Sequence, residues 1–509
     1  MLWLAVHLPQ LSLEAFRATL PAARLERPLA LVARHRISAV DRQAAERGIQ
    51  PGHKRATALA LAPELLLGQA DAARDAQALL AVAHVALVFT PSVALQGPAD
   101  APNDTVLLEV QASLRCFGGA RRLLQRLRAA LAPLAHSLSI ASAPTALGAA
   151  WLARSALPAA QRHPRALAEL RALLGPLPVW LAGPGREHWE TLQGMGLHRL
   201  ADLRALPRTG LARRFGEALL TDLDRAWGDA PDVHDWVTLR ECFASRLELH
   251  HRADSTEQVL HGAQVLLARL VAWAQARCAR VAAFTLLMHH ERRHRGEVQP
   301  ATELAIELAE ASSDALHLQL LLRERLARCA LAAPTLDLEL RCHRLRAGAA
   351  ASAELFPSHQ AEAEGLTKLL ERLRARLGDE QVCWLQPQAD HRPEQATRLV
   401  TAPPRPAAAA PAGHAAGSPL PLQHPLWLLP QPLPLTARHA APLFEGRVLQ
   451  LLAGPERIEA GWWDGALVTR DYFIAQDGDG SLLWIYRQRL PPEADSDAMA
   501  PWMLQGRFA

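Results

Sequence analysis

Lysine is almost missing from this chain: Lys54 and Lys368 are its only representatives, and arginine supplies the rest of the positive charge. Guanidinium forks match phosphate oxygens well, but a GC-rich coding bias produces the same skew, so the skew by itself assigns no function. Tyrosine is equally scarce, with only Tyr472 and Tyr486. The six cysteines, Cys116, Cys242, Cys278, Cys329, Cys342 and Cys383, form no C-x-x-C pair and have no zinc-like His spacing. They read as reduced thiols rather than as a metal site or disulfide framework. No apolar run approaches the ~18–20 residues that span a bilayer, and no basic-then-apolar signal opens the sequence. The expectation is a soluble, cytoplasmic protein.

What remains is ample for packed cores: 509 residues, 50% of them apolar, with a formal net charge of only +4. That length suggests about three to four domains. Leu2 to Val6 reads as a buried strand bounded by the turn-prone His7-Leu8-Pro9-Gln10, and Ser12 to Leu20 as a helix. Pro28 to Ala33 reads as a second strand. A short helix ended by Gly48, a turn at Pro51-Gly52 and a return strand over Ala58–Pro63 follow from capping and turn chemistry. Asp71 to Val88 has a helical pattern, Thr105 to Val110 a strand pattern. Arg121 to Leu131 is amphipathic, with leucines on one face and arginines on the other. Ser137 to Ala141 is a further strand.

The order of these parts resembles the Y-family (translesion) DNA polymerases, whose N-terminal strand reads hydrophobic-Asp-x-Asp-x-Phe. Here Val6-His7-Leu8-Pro9 occupies that place, so the metal-binding Asp is replaced by His7. In the later Ser-x-Asp-Glu-x-x-Leu-Asp-Val strand, matching Glu109-Val110 to its end puts Asp104 on the first acid and Thr105 on the catalytic Glu. One acid, Asp104, would survive, whereas a Mg²⁺ pair needs several convergent carboxylates. The fingers motif Tyr-x-Ala-Arg, which holds the incoming triphosphate, is matched by Arg42 and Ala45. Ala143-Pro144-Thr145 stands where the family has Asn-Lys. The resemblance therefore implies a polymerase frame without catalytic residues, metal or cofactor.

From Leu177 the chain reads as helix-turn-helix elements around Gly183-Pro184-Gly185. A Gly-x-Gly hairpin can point backbone N–H groups at a phosphate, and it resembles the helix-hairpin-helix of the Y-family thumb. Leu211-Ala212-Arg213-Arg214-Phe215-Gly216 matches the later part of that motif. Phe243 to Arg341 alternates as β-α-β-β-α-β, a split-βαβ arrangement that is also the family's little-finger fold. Its basic loop His289–Arg295, with Arg292, Arg293 and Arg295, is either a solvated hairpin tip or a DNA-backbone contact. Ala353-Glu354-Leu355-Phe356-Pro357 resembles the ending of a Gln-Leu-x-Leu-Phe sliding-clamp motif. Simple packing of Leu355 and Phe356 on the next helix explains it as well.

These parts give an α+β multidomain chain: palm and fingers 1–165, thumb 166–235, little finger 236–345 and a clamp-motif segment with a helix 346–396. A Pro/Ala-rich linker at 397–442 and a β-rich partner-binding region at 443–509 follow. Arg447–Leu452, Ala460–Trp463, Asp471–Ile474 and Leu482–Arg487 are its expected strands. Both tyrosines lie there with Trp462, Trp463, Trp484 and Trp502, as a small core or a partner surface. Gly454–Trp463, Arg470–Phe473 and Trp502–Ala509 resemble the tail of a non-catalytic Y-family branch. That branch implies damage-induced mutagenesis, with DNA, a sliding clamp, a RecA-like protein and an error-prone C-family polymerase as partners. Two rivals stand beside it: an active translesion polymerase with acids relocated to Asp100, Asp104 and Glu109, and a DNA-binding protein without a role in bypass.

Overall fold

The computed structural model describes the chain except for residues 22, 23, 25, 98–102, 184–187, 292–299, 349–358, 402–423, 426, 490–500 and 509, and the side chains of 359–364. It divides into two compact units, Met1–Arg376 and Leu377–Ala509.

The first unit opens on β1 (Trp3–His7) and α1 (Leu11–Arg17). Next come β2 (Leu29–Ala33), β3 (Arg36–Val40), α2 (Arg42–Glu46), α3 (Arg55–Leu61) and β4 (Leu66–Gln69). These strands form a small sheet of order β3-β2-β4. One expectation is corrected here. The return strand over Ala58–Pro63 is helix α3, because Ala and Leu are strong helix formers and the alternating Ala-Leu spacing is no strand signal in such residues. The hairpin between β2 and β3 turns through Arg34 and His35, both at positive φ.

The chain continues through α4 (Ala72–Leu87), β5 (Val93–Gln96), β6 (Thr105–Glu109), α5 (Leu114–Phe117), α6 (Ala120–Leu131), β7 (Ser139–Ala143) and α7 (Ala146–Arg154). The larger sheet is antiparallel throughout, in the order β5-β6-β1-β7. Successive β1 side chains serve opposite faces. Leu4 and Val6 pack with α1, α4 and α6, while Trp3 and Ala5 pack with α7 and the helices after it. Covering on both faces is why β1 is a continuous apolar run.

Those later helices are α8 (Leu167–Leu174), α9 (Trp189–Gly194), α10 (Leu200–Arg204), α11 (Arg208–Phe215) and α12 (Glu217–Trp227). Gly148 sits where this layer meets α7; a Cβ there would lie 2.5 Å from Thr145 Oγ1 and 3.2 Å from the Ala226 carbonyl oxygen. Thr145 both caps α7 and donates to that carbonyl, at 2.8 Å.

A second α/β layer follows as β8 (Phe243–Ala253), α13 (Thr256–Ala276), β9 (Ala279–His290), β10 (Thr302–Ser312), α14 (Ala315–Ala327) and β11 (Thr335–Ala347). Sheet order is β10-β9-β11-β8, so β11 lies between β8 and β9 and the split-βαβ reading holds. Helix α13 packs against α4 and sends Ala272 into the larger sheet's core. Arg269 on α13, only 5% exposed, donates to Gln77 Oε1 and Ser245 Oγ, both at 3.1 Å. The last helix, α15 (His359–Leu377), is fixed through Glu371, 2.7 Å from His317 Nε2.

The second unit holds a hairpin of β12 (Trp384–Pro387) and β13 (Thr397–Val400), then β14 (Trp427–Arg438), β15 (Ala441–Phe444), β16 (Arg447–Val448), β17 (Gln450–Ala460), β18 (Val468–Gln476), β19 (Leu482–Gln488) and β20 (Trp502–Arg507). The last seven form one sheet, β16-β15-β14-β20-β19-β18-β17. The expected 397–442 linker is thus corrected at both ends: β13 lies at its start, and β14 pairs with β20 from Trp427. Pro430, Pro432 and Pro434 fall two residues apart, which gathers their missing N–H groups on one strand edge and leaves the other able to pair. Residues 377–396 belong with this unit rather than with the preceding helix. The Ala460–Trp463 strand is also corrected, since pairing stops at Ala460 and both tryptophans lie in a turn. Arg447–Leu452 is divided between β16 and β17.

Candidate active site and nucleic-acid interface

The C-terminal end of β1 carries His7, placed opposite Thr105 on β6 and Ser139 on β7 by antiparallel register. Asp104 immediately precedes β6, and Arg154 ends α7. These elements converge on one polar corner. Thr105 Oγ1 donates to Asp104 Oδ1 at 2.8 Å, and His7 Nδ1 lies 3.2 Å from the same hydroxyl. Arg154 Nη2 lies 2.5 Å from Asp104 Oδ1, with His7 Nδ1 at 3.6 Å. Burial of Asp104 favours its neutral form, but the nearby His7 imidazole and the paired Arg154 guanidinium outweigh that and hold its pKa down, at about 2.

The structure thus brings His7, Asp104 and Thr105 together and adds Arg154, which the sequence reading did not single out. Its only sequence signal was an Arg at the end of an otherwise apolar helix. The described residues do not fit a Mg²⁺ pair: among them a single carboxylate, Asp104, stands in the corner, and a guanidinium already pairs with it. Among the described residues no group of three or more His, Cys, Asp or Glu could hold a metal ion. The relocated set is not assembled either. Asp104 and Glu109 stand at opposite ends of β6, roughly 16 Å apart along the strand, and Asp100 lies outside the described residues.

In the small sheet's unit, Arg42 is exposed and pairs with Glu46 at 2.8 Å, one turn along α2. Ala45 is exposed on the same helix. On α11, Arg213 and Arg214 are exposed beside buried Leu211 and Phe215. Gly183 is half-buried just after the short turn Val179–Leu181. Gly185, Arg292, Arg293, Arg295, Leu355 and Phe356 lie outside the described residues.

The C-terminal aromatics separate into two groups. Tyr472, Trp484, Tyr486 and Trp502 are buried, and Tyr472 stacks on Trp484 with ring centroids 4.2 Å apart. Trp462 and Trp463 are 76% and 51% exposed, on a turn between Gly461 and Gly465, both at positive φ. Arg392 secures that turn, donating to Asp464 Oδ2 at 2.6 Å and Asp390 Oδ2 at 2.7 Å while its guanidinium lies over the Trp463 ring.

No family model matches the chain. Protein ImuB of Caulobacter vibrioides is 30% identical over 485 residues, spanning 91% of this chain and 100% of the relative. The chain belongs to the ImuB family. Among solved structures, the insertion ternary complex of Dbh DNA polymerase is similar with 14% identity and a TM-score of 0.38, over 68% of this chain and 100% of that one. DinB from Sulfolobus solfataricus gives 13% identity and a TM-score of 0.37, over 67% and 98%. No residue role follows from likeness at that level. At 91% of the chain, the ImuB relationship extends into both units.

Proposed function

We propose that this ImuB-family chain is a catalytically inactive polymerase homologue that holds DNA and recruits partners during damage-induced translesion synthesis. The observation that carries the reading is the Asp104–Arg154 pair: the one carboxylate that the described residues offer at the expected metal site is bonded to a guanidinium, flanked by His7 and Thr105. Aligning a 3′-hydroxyl with a triphosphate requires metals held within fractions of an ångström, and this corner offers a cation a neutralised partner.

DNA would be held through backbone contacts by Arg213, Arg214, Gly183 and Gly185, together with Arg292, Arg293 and Arg295. Leu355 and Phe356 would engage the sliding clamp. The C-terminal sheet, through the Trp462-Trp463 turn, would bind an ImuA-type RecA-like protein or an error-prone C-family polymerase. Two aromatic anchors on a turn fixed by Arg392 suit a protein hot spot, since little side-chain entropy remains to be lost. Several modest contacts on one chain raise one another's effective concentration.

Primer extension with the purified chain, all four dNTPs and Mg²⁺ or Mn²⁺ tests the reading. The expected result is salt-sensitive binding of primer-template without extension. Extension that disappears in Asp104→Ala would overturn it.

A further inference from the structure

Helix α6 presents two unlike faces. Leu123, Leu127 and Leu131 are at most 2% exposed and sit in the larger sheet's core. Arg121, Arg122, Arg126 and Arg128 are exposed. At 3.6 residues per turn these four span an arc of about 160° and about 10 Å of helix axis. Arg115 on α5 is exposed just before them.

Among the described residues none of these five guanidinium groups pairs with a carboxylate; Arg126 instead lies over the Phe117 ring at 5.9 Å. No Asp or Glu occurs between Glu109 and Glu169, so no acid adjacent in sequence is at hand to neutralise the face. Arginines elsewhere are spent differently. In the helical segment, Arg171 and Arg204 pair with Asp229, and Arg208 with Asp224. On the split-βαβ sheet, Arg246 pairs with Asp337, Arg341 with Glu339 and Arg344 with Glu307.

The α6 charges are also maintained against a local cost. Arg121 and Arg122 stand in the first turn, which holds no acidic residue and where the macrodipole disfavours cations. Their field reaches neighbouring groups: burial, then the charges of Arg128 and Arg162, push the His163 pKa down. A face that breaks a local stability rule without an internal partner is suited to an external anion, and closely spaced guanidinium groups match the repeating phosphates of a nucleic acid.

We infer that the arginine face of α6, with Arg115, is a second DNA-backbone contact, on a different part of the chain from the helical segment's Arg213 and Arg214. This rests on the DNA-holding reading for its partner class, and on separate residues for its site.

The full chain is titrated with a fluorescent primer-template duplex, and with a single strand of equal length, across a salt series. One variant carries Arg121→Gln, Arg122→Gln, Arg126→Gln and Arg128→Gln; another carries Lys at the same four positions. Gln keeps helix propensity, and a matching melting curve confirms the fold. The Gln variant is expected to make the slope of log K against log salt shallower by up to about 3.6 on duplex, at about 0.9 per lost phosphate contact, and to weaken binding about tenfold or more. The Lys variant should retain most of both. A smaller slope change on the single strand alone would assign the face to unpaired DNA. An unchanged slope in the Gln variant, or equal loss in the Lys variant, would overturn the inference. Wild-type chain that shows no salt-sensitive DNA binding would instead overturn the DNA-holding reading itself. Binding abolished only by Arg213→Gln with Arg214→Gln would overturn the α6 assignment and leave that reading standing.

Discussion

Arg154 Nη2 and Asp104 Oδ1 meet at 2.5 Å, joining the end of α7 to the start of β6. The contact links two elements that also share the sheet's packing, so it bears on stability as well as on chemistry. The folded-state pKa of Asp104 is held down at about 2, below the 3.8 of an ordinary aspartate. A depressed carboxyl pKa stabilises the fold above the unfolded value, and that contribution is lost as pH falls from about 4 towards 2.

Asp104→Asn is therefore expected to cost about 2 kcal/mol near neutral pH, from 1.36 kcal/mol per pKa unit. The difference from wild type should shrink through pH 4 and vanish near pH 2. Urea unfolding followed across that range checks both the size and the sign. Arg154→Met should cost roughly 3 kcal/mol near pH 7, because it leaves Asp104 charged without its partner.

Arg269 bridges α13 to the α4 side through Gln77 and Ser245, and burial pushes its pKa down to about 10. Arg269→Met retains much of the side-chain volume and removes a buried charge, so stability should change by less than about 1 kcal/mol. Arg269→Ala opens a cavity and should lose about 2 kcal/mol or more. Hydrogen exchange in α4 and α13 distinguishes these outcomes, since loosened packing would raise exchange in both helices together.

The two aromatic groups of the C-terminal sheet should respond oppositely. Trp484→Ala is expected to destabilise that unit by about 3–5 kcal/mol. Trp462→Ala with Trp463→Ala should change its melting by less than about 1 kcal/mol, yet weaken binding of an ImuA-type protein or a C-family polymerase by about 2 kcal/mol or more. Thermal melts beside partner titrations provide the check; a stability loss comparable to that of Trp484→Ala would identify the turn as part of the core.

The elements that were legible share strong periodicity or a clear boundary residue. Asp71 caps α4 through Ala73 N and Arg74 N, and the leucine face of α6 is buried as its spacing predicts. The missed hairpin at Arg34-His35 lacks Asn or Gly, the residues that usually announce two positive-φ positions. Helix α3 was obscured because alternation of two helix-forming residues imitates a strand. The Pro-rich strand β14 reads as a linker until its prolines are seen to share one edge. At the candidate site, matching the family's motifs singled out His7, Asp104 and Thr105, and the pairing of β1 with β6 that sets His7 opposite Thr105 came only with the structure. Arg154 arrives from a different element, and no local pattern reveals which distant carboxylate a guanidinium will meet.

The Asp104–Arg154 contact also limits what substitution can install in this corner. His7→Asp alone would set a second carboxylate beside Asp104 with one guanidinium to serve both, raising the cost of keeping each ionised. Removing Arg154 first would strand Asp104 in a largely enclosed corner. Neither order of single steps towards an acid cluster is free of a less stable intermediate. The contact thus works as a latch: an engineered metal site here calls for several coordinated changes rather than one.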